Sequence, residues 1–220
     1  MDPVTEQEAA VPEPVIEQWY DRGKLVGGIG SDSLEKLLGN GANYIFVISA
    51  IFGQSDLSLL DLGSGVGIPG IPIALQRDNF TVSLMDSMAR RINVAREFIP
   101  GLNLDSRVSV LHGRSDEYFS AYAERYDVVV SRCFGPPPLV AEVAIRFLKP
   151  GGVLVVSDPP DVAARVRRWP KRELRAMGYG TPMFYELDQH FVALRRRKVS
   201  LRPLRAYRSM VKTPLWNPGS

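Results

Sequence analysis

Residues 59–72 read LLDLGSGVGIPGIP. An apolar run enters Asp61, and Gly63, Gly65, Gly67 and Gly70 follow before the next apolar stretch. Glycine tolerates backbone angles closed to other residues, so the chain can turn sharply here and approach a ligand with no Cβ in the way. A helix begun just after such a turn aims its first amides at the same place. The stretch therefore reads as strand, glycine turn and helix, the opening unit of a parallel α/β sheet.

Outward from that unit the pattern repeats. Short apolar runs predict strands at 57–62, 81–85, 108–111, 126–130 and 153–157, with amphipathic helices between them at 68–77, 88–98, 115–122, 139–147 and 161–177. Residues 183–187 and 191–195 are separated by a turn-length DQH and predict an antiparallel hairpin. The expected fold is a Rossmann-like α/β domain: a mainly parallel twisted sheet, helices on both faces, and a C-terminal hairpin. Upstream, a short helix is expected over 12–21, then a glycine-rich loop in GKLVGGIGSD, a helix capped by Ser31 or Asp32 and running through Leu38, and another from Tyr44 to Phe52.

The chain has 220 residues and is 45% hydrophobic, enough for one α/β domain with small additions. The expected layout is a disordered acidic arm at 1–14, a helical extension at 15–55, a ligand-binding domain at 56–198 and a basic tail at 199–220. A single cysteine, Cys133, excludes an internal disulfide and any multi-cysteine zinc site, and His112 and His190 lack metal-ligand spacing, so no metal is expected. Neither a signal peptide nor a membrane span is evident, which predicts a cytoplasmic protein. The net charge is only +3, but Arg165, Arg167, Arg168, Lys171, Arg172 and Arg175 crowd one segment, and Arg195–Lys198 begin another. Such patches attract phosphate-bearing partners.

Two ligands fit the glycine turn. Gly65, Gly67 and Gly70 match the G-x-G-x-x-G dinucleotide pattern, with Asp86 as the ribose-binding acid. Asp61 extends the motif to D-x-G-x-G-x-G, which resembles the class I methyltransferases. There Asp61 is expected to hold the cationic methionine end of S-adenosyl-L-methionine and Asp86 the ribose hydroxyls. The segments YDVVVSR and LKPGGVLVVS favour the methyl donor.

Taken together, LLDLGSGVGIPGIP, LMDSMARRINVARE, VLHGRSDEY and YDVVVSRCF resemble the RsmG/GidB small-subunit ribosomal RNA methyltransferases, which methylate a guanine at ring nitrogen seven. The resemblance runs over about residues 57–157, with a weaker echo at HFVALRR. It implies S-adenosyl-L-methionine as cofactor and ribosomal RNA or the small ribosomal subunit as partner. Gly63, Gly65, Gly67 and Ile68 would line the methionine and ribose region. Asp86 and Ser87 would hold the ribose, Ser115 and Asp116 the adenine, and Arg132 would face the active centre as the catalytic candidate. The family's upstream Asn-Leu-Thr and His…Asp-Ser motifs are replaced by GNGANYIFVISAIFG, and its Leu-Lys-Gly after the fifth strand by Ser157-Asp158-Pro159-Pro160-Asp161. A small-molecule acceptor and a non-catalytic cofactor- or RNA-binding module are therefore the alternatives.

Three residues carry competing readings. Arg132 is either a substrate- or donor-orienting cation or half of a structural ion pair. Asp158 is expected to cap the following helix rather than to face a substrate. Cys133 is expected to be a small buried filler rather than a nucleophile.

Overall fold

The computed structural model describes residues 13–200, 203 and 205–218. Most of the expected acidic arm lies outside them. Helix α1 (Glu13–Leu25) begins inside the expected arm and runs past 21, carrying the fully buried Trp19, whose indole donates to the Val66 carbonyl at 2.9 Å.

The sheet has seven strands: β1 (Leu57–Leu62), β2 (Phe80–Asp86), β3 (Val108–His112), β4 (Tyr126–Ser131), β5 (Leu148–Asp158), β6 (Met183–Glu186) and β7 (His190–Arg195). Their order is β3-β2-β1-β4-β5-β7-β6. The first five are parallel, and β7 returns antiparallel to β5 with β6 on the edge. The order reverses between β1 and β4, so a crevice opens at their carboxyl ends, where open α/β sheets bind ligands. Helices α3 (Gly70–Gln76), α4 (Ala89–Phe98) and α5 (Pro137–Phe147) link the parallel strands.

Several local expectations were corrected by packing. The two helices expected around residues 31–52 are one, α2 (Leu34–Phe52), with Ser33 rather than Ser31 or Asp32 as its cap, accepting the Lys36 amide at 3.2 Å. The Gly39-Asn40-Gly41 stretch does not end it, because Gly41 lets α2 lie directly on α3: a Cβ there would meet Pro72 Cβ at 2.7 Å and Pro72 C at 2.9 Å. The expected helix at 161–177 is split into α6 (Arg165–Arg168) and α7 (Lys171–Met177) by Pro170, which has no amide to continue the ladder. The helix expected at 115–122 is a single 3-10 turn, Ser115–Tyr118. Pro150-Gly151-Gly152 lies within β5 as an irregularity: the pairing steps from Tyr126↔Leu148 to Val128↔Val153. Lys149 in that segment reaches back to Asp127 at 2.8 Å, joining the LKPGG and YDVVV motifs far from the crevice.

Two hydrophobic layers sandwich the sheet. One joins Trp19, Leu37 and Tyr44 of the N-terminal helices to Leu59 and Ile71. The other joins α5 to Trp169 and to Met210 and Trp216 near helix α8 (Tyr207–Lys212). Basic residues are partly consumed here. Arg165 is buried against Glu186 (2.6 Å) and His190 (2.6 Å), and Arg196 is buried against the Leu148 carbonyl and Glu124. Arg167, Lys171, Arg172 and Arg175 remain exposed.

The two glycines of α2 should respond oppositely to alanine. Gly39 faces open space, so Gly39→Ala should stabilise the fold by about 1 kcal/mol through helix propensity. At Gly41 the backbone of Pro72 blocks the added methyl, and Gly41→Ala should cost about 1–3 kcal/mol. Urea midpoints of the two variants against the parent chain check the sign of each change.

Candidate active site

The glycine turn is held at both ends by carboxylates from neighbouring strands. Asp61, the fifth residue of β1, is completely buried and its Oδ2 accepts the Gly70 amide at 2.7 Å. Asp86, the last residue of β2, accepts the Gly65 amide at 2.9 Å and the Met88 amide at 2.7 Å. Between them Gly63, Gly65 and Gly67 adopt φ of 80°, 57° and 102°, the left-handed region where a side chain is strained. Above Gly65 the space is open: a Cβ would find nothing nearer than Arg91 Cδ at 3.9 Å.

Three cavities meet at the exits of β1 and β4. The first, about 260 Å³, is lined by Gly63, Asp86, Ser87 and Ser115, with Phe134 and Tyr207 as its aromatic walls. The second, about 240 Å³, lies across the turn among Gly28–Gly30, Gly65, Ile68 and Arg132. The third, about 460 Å³, lies beyond Phe134, between α5, the end of β5 and the loop before β7. Cys133 lines all three, at φ 57°, and is exposed rather than the buried filler expected from sequence.

The expected residues divide accordingly. Gly63, Gly65, Ile68, Asp86, Ser87, Ser115 and Arg132 sit on the walls of the first two cavities. Asp61, Gly67 and Asp116 do not. Asp61 lies buried behind the turn, where its Oδ2 accepts the Gly70 amide and its Oδ1 has no partner among the described residues. Gly67 packs on Ile71, and Asp116 turns to Arg114 at 3.1 Å. Arg132 lines the second cavity and pairs with Asp32 at 2.6 Å. Hydrogen bonds from Lys36 and Arg132 hold the Asp32 carboxyl below the usual carboxylate range.

Other wall residues were not legible. Tyr207 comes from the C-terminal segment, with Arg114 stacked on its ring at 4.6 Å. Gly28–Gly30 and Asp32 belong to the glycine-rich loop, whose sequence signals only flexibility. Tyr44 of α2 is also a tertiary contribution. Its hydroxyl donates to the Ser131 carbonyl at 2.8 Å and accepts the Ser157 amide at 3.3 Å, tying β4 to β5 under the junction. Among the described residues, no group of three or more His, Cys, Asp and Glu could hold a metal ion, and no helix is long and apolar enough to cross a membrane.

A seven-stranded sheet with a returning β7 and a glycine turn closed by strand-end acids defines the class I methyltransferase fold. Solved structures agree at the level of fold. A methyltransferase from Geobacter sulfurreducens superposes with TM-score 0.58 at 16% identity, over 88% of this chain and 92% of that one. Cofactor-bound Rv0187 from MTB gives 0.59 at 20% identity, over 85% and 92%. The chain belongs to the GidB family, rRNA small subunit methyltransferase G, whose model matches residues 31–158. It is 32% identical over 154 residues to ribosomal RNA small subunit methyltransferase G of Clostridium botulinum strain Loch Maree, a match covering 69% of this chain and 63% of that protein. The namesake of Lachnoclostridium phytofermentans is 38% identical over 100 residues, 44% of this chain and 41% of that one.

Burial, reinforced by the nearby Asp86 charge, pushes the Asp61 carboxyl up to about 8 against the Gly70 hydrogen bond and the Arg132 charge. Between the ordinary value of 3.8 and about 8, the folded chain therefore holds a proton that the unfolded chain has lost. Asp61 thus contributes stability at low pH that is lost as pH rises through that window. Asp61→Asn keeps an acceptor for Gly70 and does not titrate. Unfolding midpoints at about pH 5 and about pH 8 should differ less in Asp61→Asn than in the parent.

Proposed function

We propose that the chain binds S-adenosyl-L-methionine across the first two cavities and methylates a guanine ring nitrogen in small-subunit ribosomal RNA. The observation that carries this reading is the carboxylate-held glycine turn, open above Gly65 and continuous at Cys133–Phe134 with a larger cavity. Residues 56–198 carry the transfer unit in this reading, 15–55 and 199–220 complete its walls, and a cytoplasmic location follows from the partner.

The residues present fit the cofactor. Asp86 spends one lone pair of each oxygen on amides, so each keeps acceptor capacity for a ribose hydroxyl. Ser115 Oγ, buried without a partner in the described structure, and the apolar Leu62, Met85 and Phe134 suit a purine with a polar edge. The second cavity pairs a cation, Arg132, with an anion, Asp32, as an amino acid zwitterion requires. When bound, the cofactor supplies a methyl group already activated on a sulfonium.

What remains for the chain is alignment and exclusion of water. Phe134 and Cys133 stand where the cavities meet and set the approach. Arg132, held by Asp32, orients the charged end of the donor and so fixes the methyl position. A ring nitrogen bears its own lone pair, so no general base is required, and Cys133 has no covalent task.

Tritium transfer from S-adenosyl-L-methionine to small ribosomal subunits from a strain lacking the chain's gene tests this reading; no incorporation would reject the RNA substrate. Asp86→Ala should weaken cofactor binding by about tenfold or more in calorimetry, the scale of a lost charge-assisted hydrogen bond. Arg132→Ala should remain folded and lose turnover, while Cys133→Ala should keep it. Arg167, Lys171, Arg172 and Arg175 lie exposed on the segment following the larger cavity, so transfer to RNA should weaken steeply with salt. A flat salt response would favour a small-molecule acceptor.

A further inference from the structure

The larger cavity is mostly apolar, walled by Phe134, Pro137, Val140, Val156, Pro159 and Pro160. One buried carboxylate shares that wall: Asp158, 7% exposed, at the carboxyl end of β5. It does not cap the following helix, as its sequence position predicts. Asp161 supplies the local turn instead, accepting the Ala164 amide at 3.1 Å. Both donors that reach Asp158 from inside the protein, Arg168 Nε at 2.9 Å and Trp169 Nε1 at 3.0 Å, fall on Oδ1. Oδ2 is buried and receives none. Buried carboxylate oxygens are normally satisfied, so the inner pair fixes the orientation of Asp158 and leaves one strong acceptor free. Two other polar groups on this wall are engaged within the protein: Ser131 Oγ donates to the Leu62 carbonyl at 3.0 Å, and His190 Nδ1 lies 2.6 Å from Arg165.

We propose that this cavity receives the guanine base of the acceptor nucleotide and that Asp158 selects it, an inference that rests on the methyltransferase reading above. Apolar walls suit a flat ring, and Oδ2 requires N–H donors. Guanine offers two side by side, the ring N1–H and the 2-amino group. Adenine and cytosine put an unprotonated ring nitrogen next to their single amino group, and uracil flanks its one N–H with carbonyl oxygens. Each would turn a lone pair toward the carboxylate. In guanine the seven-nitrogen lies across the fused rings from the 2-amino group. A base held at Asp158 therefore turns that nitrogen away from β5, toward the Phe134–Cys133 junction. As the ring nitrogen takes up the methyl group the base becomes cationic and its N1–H a better donor. The contact to Asp158 thus strengthens along the reaction, which is the condition for it to favour turnover and not only binding.

The Trp169 indole N–H reports on Asp158 directly, and it is one of three tryptophans in the chain, so Trp169→Phe identifies its NMR signal. The full chain saturated with S-adenosylhomocysteine is titrated with GMP, IMP, AMP and CMP. GMP should shift the signal, IMP, which lacks the 2-amino group, should bind about tenfold more weakly, and AMP and CMP should bind weaker still. Asp158→Asn retains an oxygen for Arg168 and Trp169 but presents an amide donor in place of Oδ2, and should abolish the GMP-over-IMP preference. Equal response to AMP and GMP, no response to any nucleotide, or an unchanged preference in a folded Asp158→Asn variant would overturn the proposal. The comparison of nucleotides on the parent chain decides it even where the variant does not fold. Failure of S-adenosylhomocysteine to bind, measured on the same sample, would instead remove the methyltransferase reading.

Discussion

The glycine turn depends on being held by two carboxylates it does not contain. Asp61 reaches forward beneath the turn to Gly70, and Asp86 reaches across from the neighbouring strand to Gly65. Three residues at positive φ form a segment with weak conformational preference of its own, because glycine loses the most freedom on ordering. Hydrogen bonds to these acids at its ends offset that loss and fix the loop at the mouth of the sheet. The same two acids differ in burial. Asp61 is fully buried with its Oδ1 unpartnered among the described residues, while Asp86 is part-exposed and lines the first cavity.

Around that turn the molecule assembles walls from distant parts of the chain. The loop after α1 brings Asp32 to Arg132, α2 brings Tyr44 beneath the junction, and the C-terminal segment brings Tyr207 to the first cavity. The same segment also touches the larger cavity, since Trp216 donates to the Arg168 carbonyl at 2.9 Å and Arg168 holds Asp158. Residues 31–158, matched by the family model, thus supply the turn and the strand ends, and segments of the chain on both sides of that range finish the cavities.

The basic character of the C-terminal third has two physical origins. Arg165 and Arg196 are core cations whose charges are met by Glu186, His190, Glu124 and a backbone carbonyl. Arg205 joins Glu142 at 3.1 Å and so fastens the last helix to α5. Arg168 holds Asp158, and among the described residues Arg167, Lys171, Arg172 and Arg175 are exposed. A count of arginines in the sequence merges the two groups, because composition carries no information about which guanidiniums find carboxylates after folding.

The sequence by itself determined the strand–turn–helix unit, the mainly parallel sheet, the hairpin that ends it and the place of Gly63 and Asp86 beside the turn. These depend on local patterns: apolar periodicity, glycine spacing and an acid at a strand end. What only the tertiary structure decided was set by contacts between residues far apart in the chain. Gly41 was left inside a continuous helix because Pro72 lies against it, Asp61 was turned inward to Gly70, and Cys133 was left exposed at the meeting of three cavities. Asp158 became a cavity wall because Arg168 and Trp169 oriented it there. A local pattern encodes which way a strand begins and ends, whereas the partner of a buried polar atom exists only once separate elements have packed.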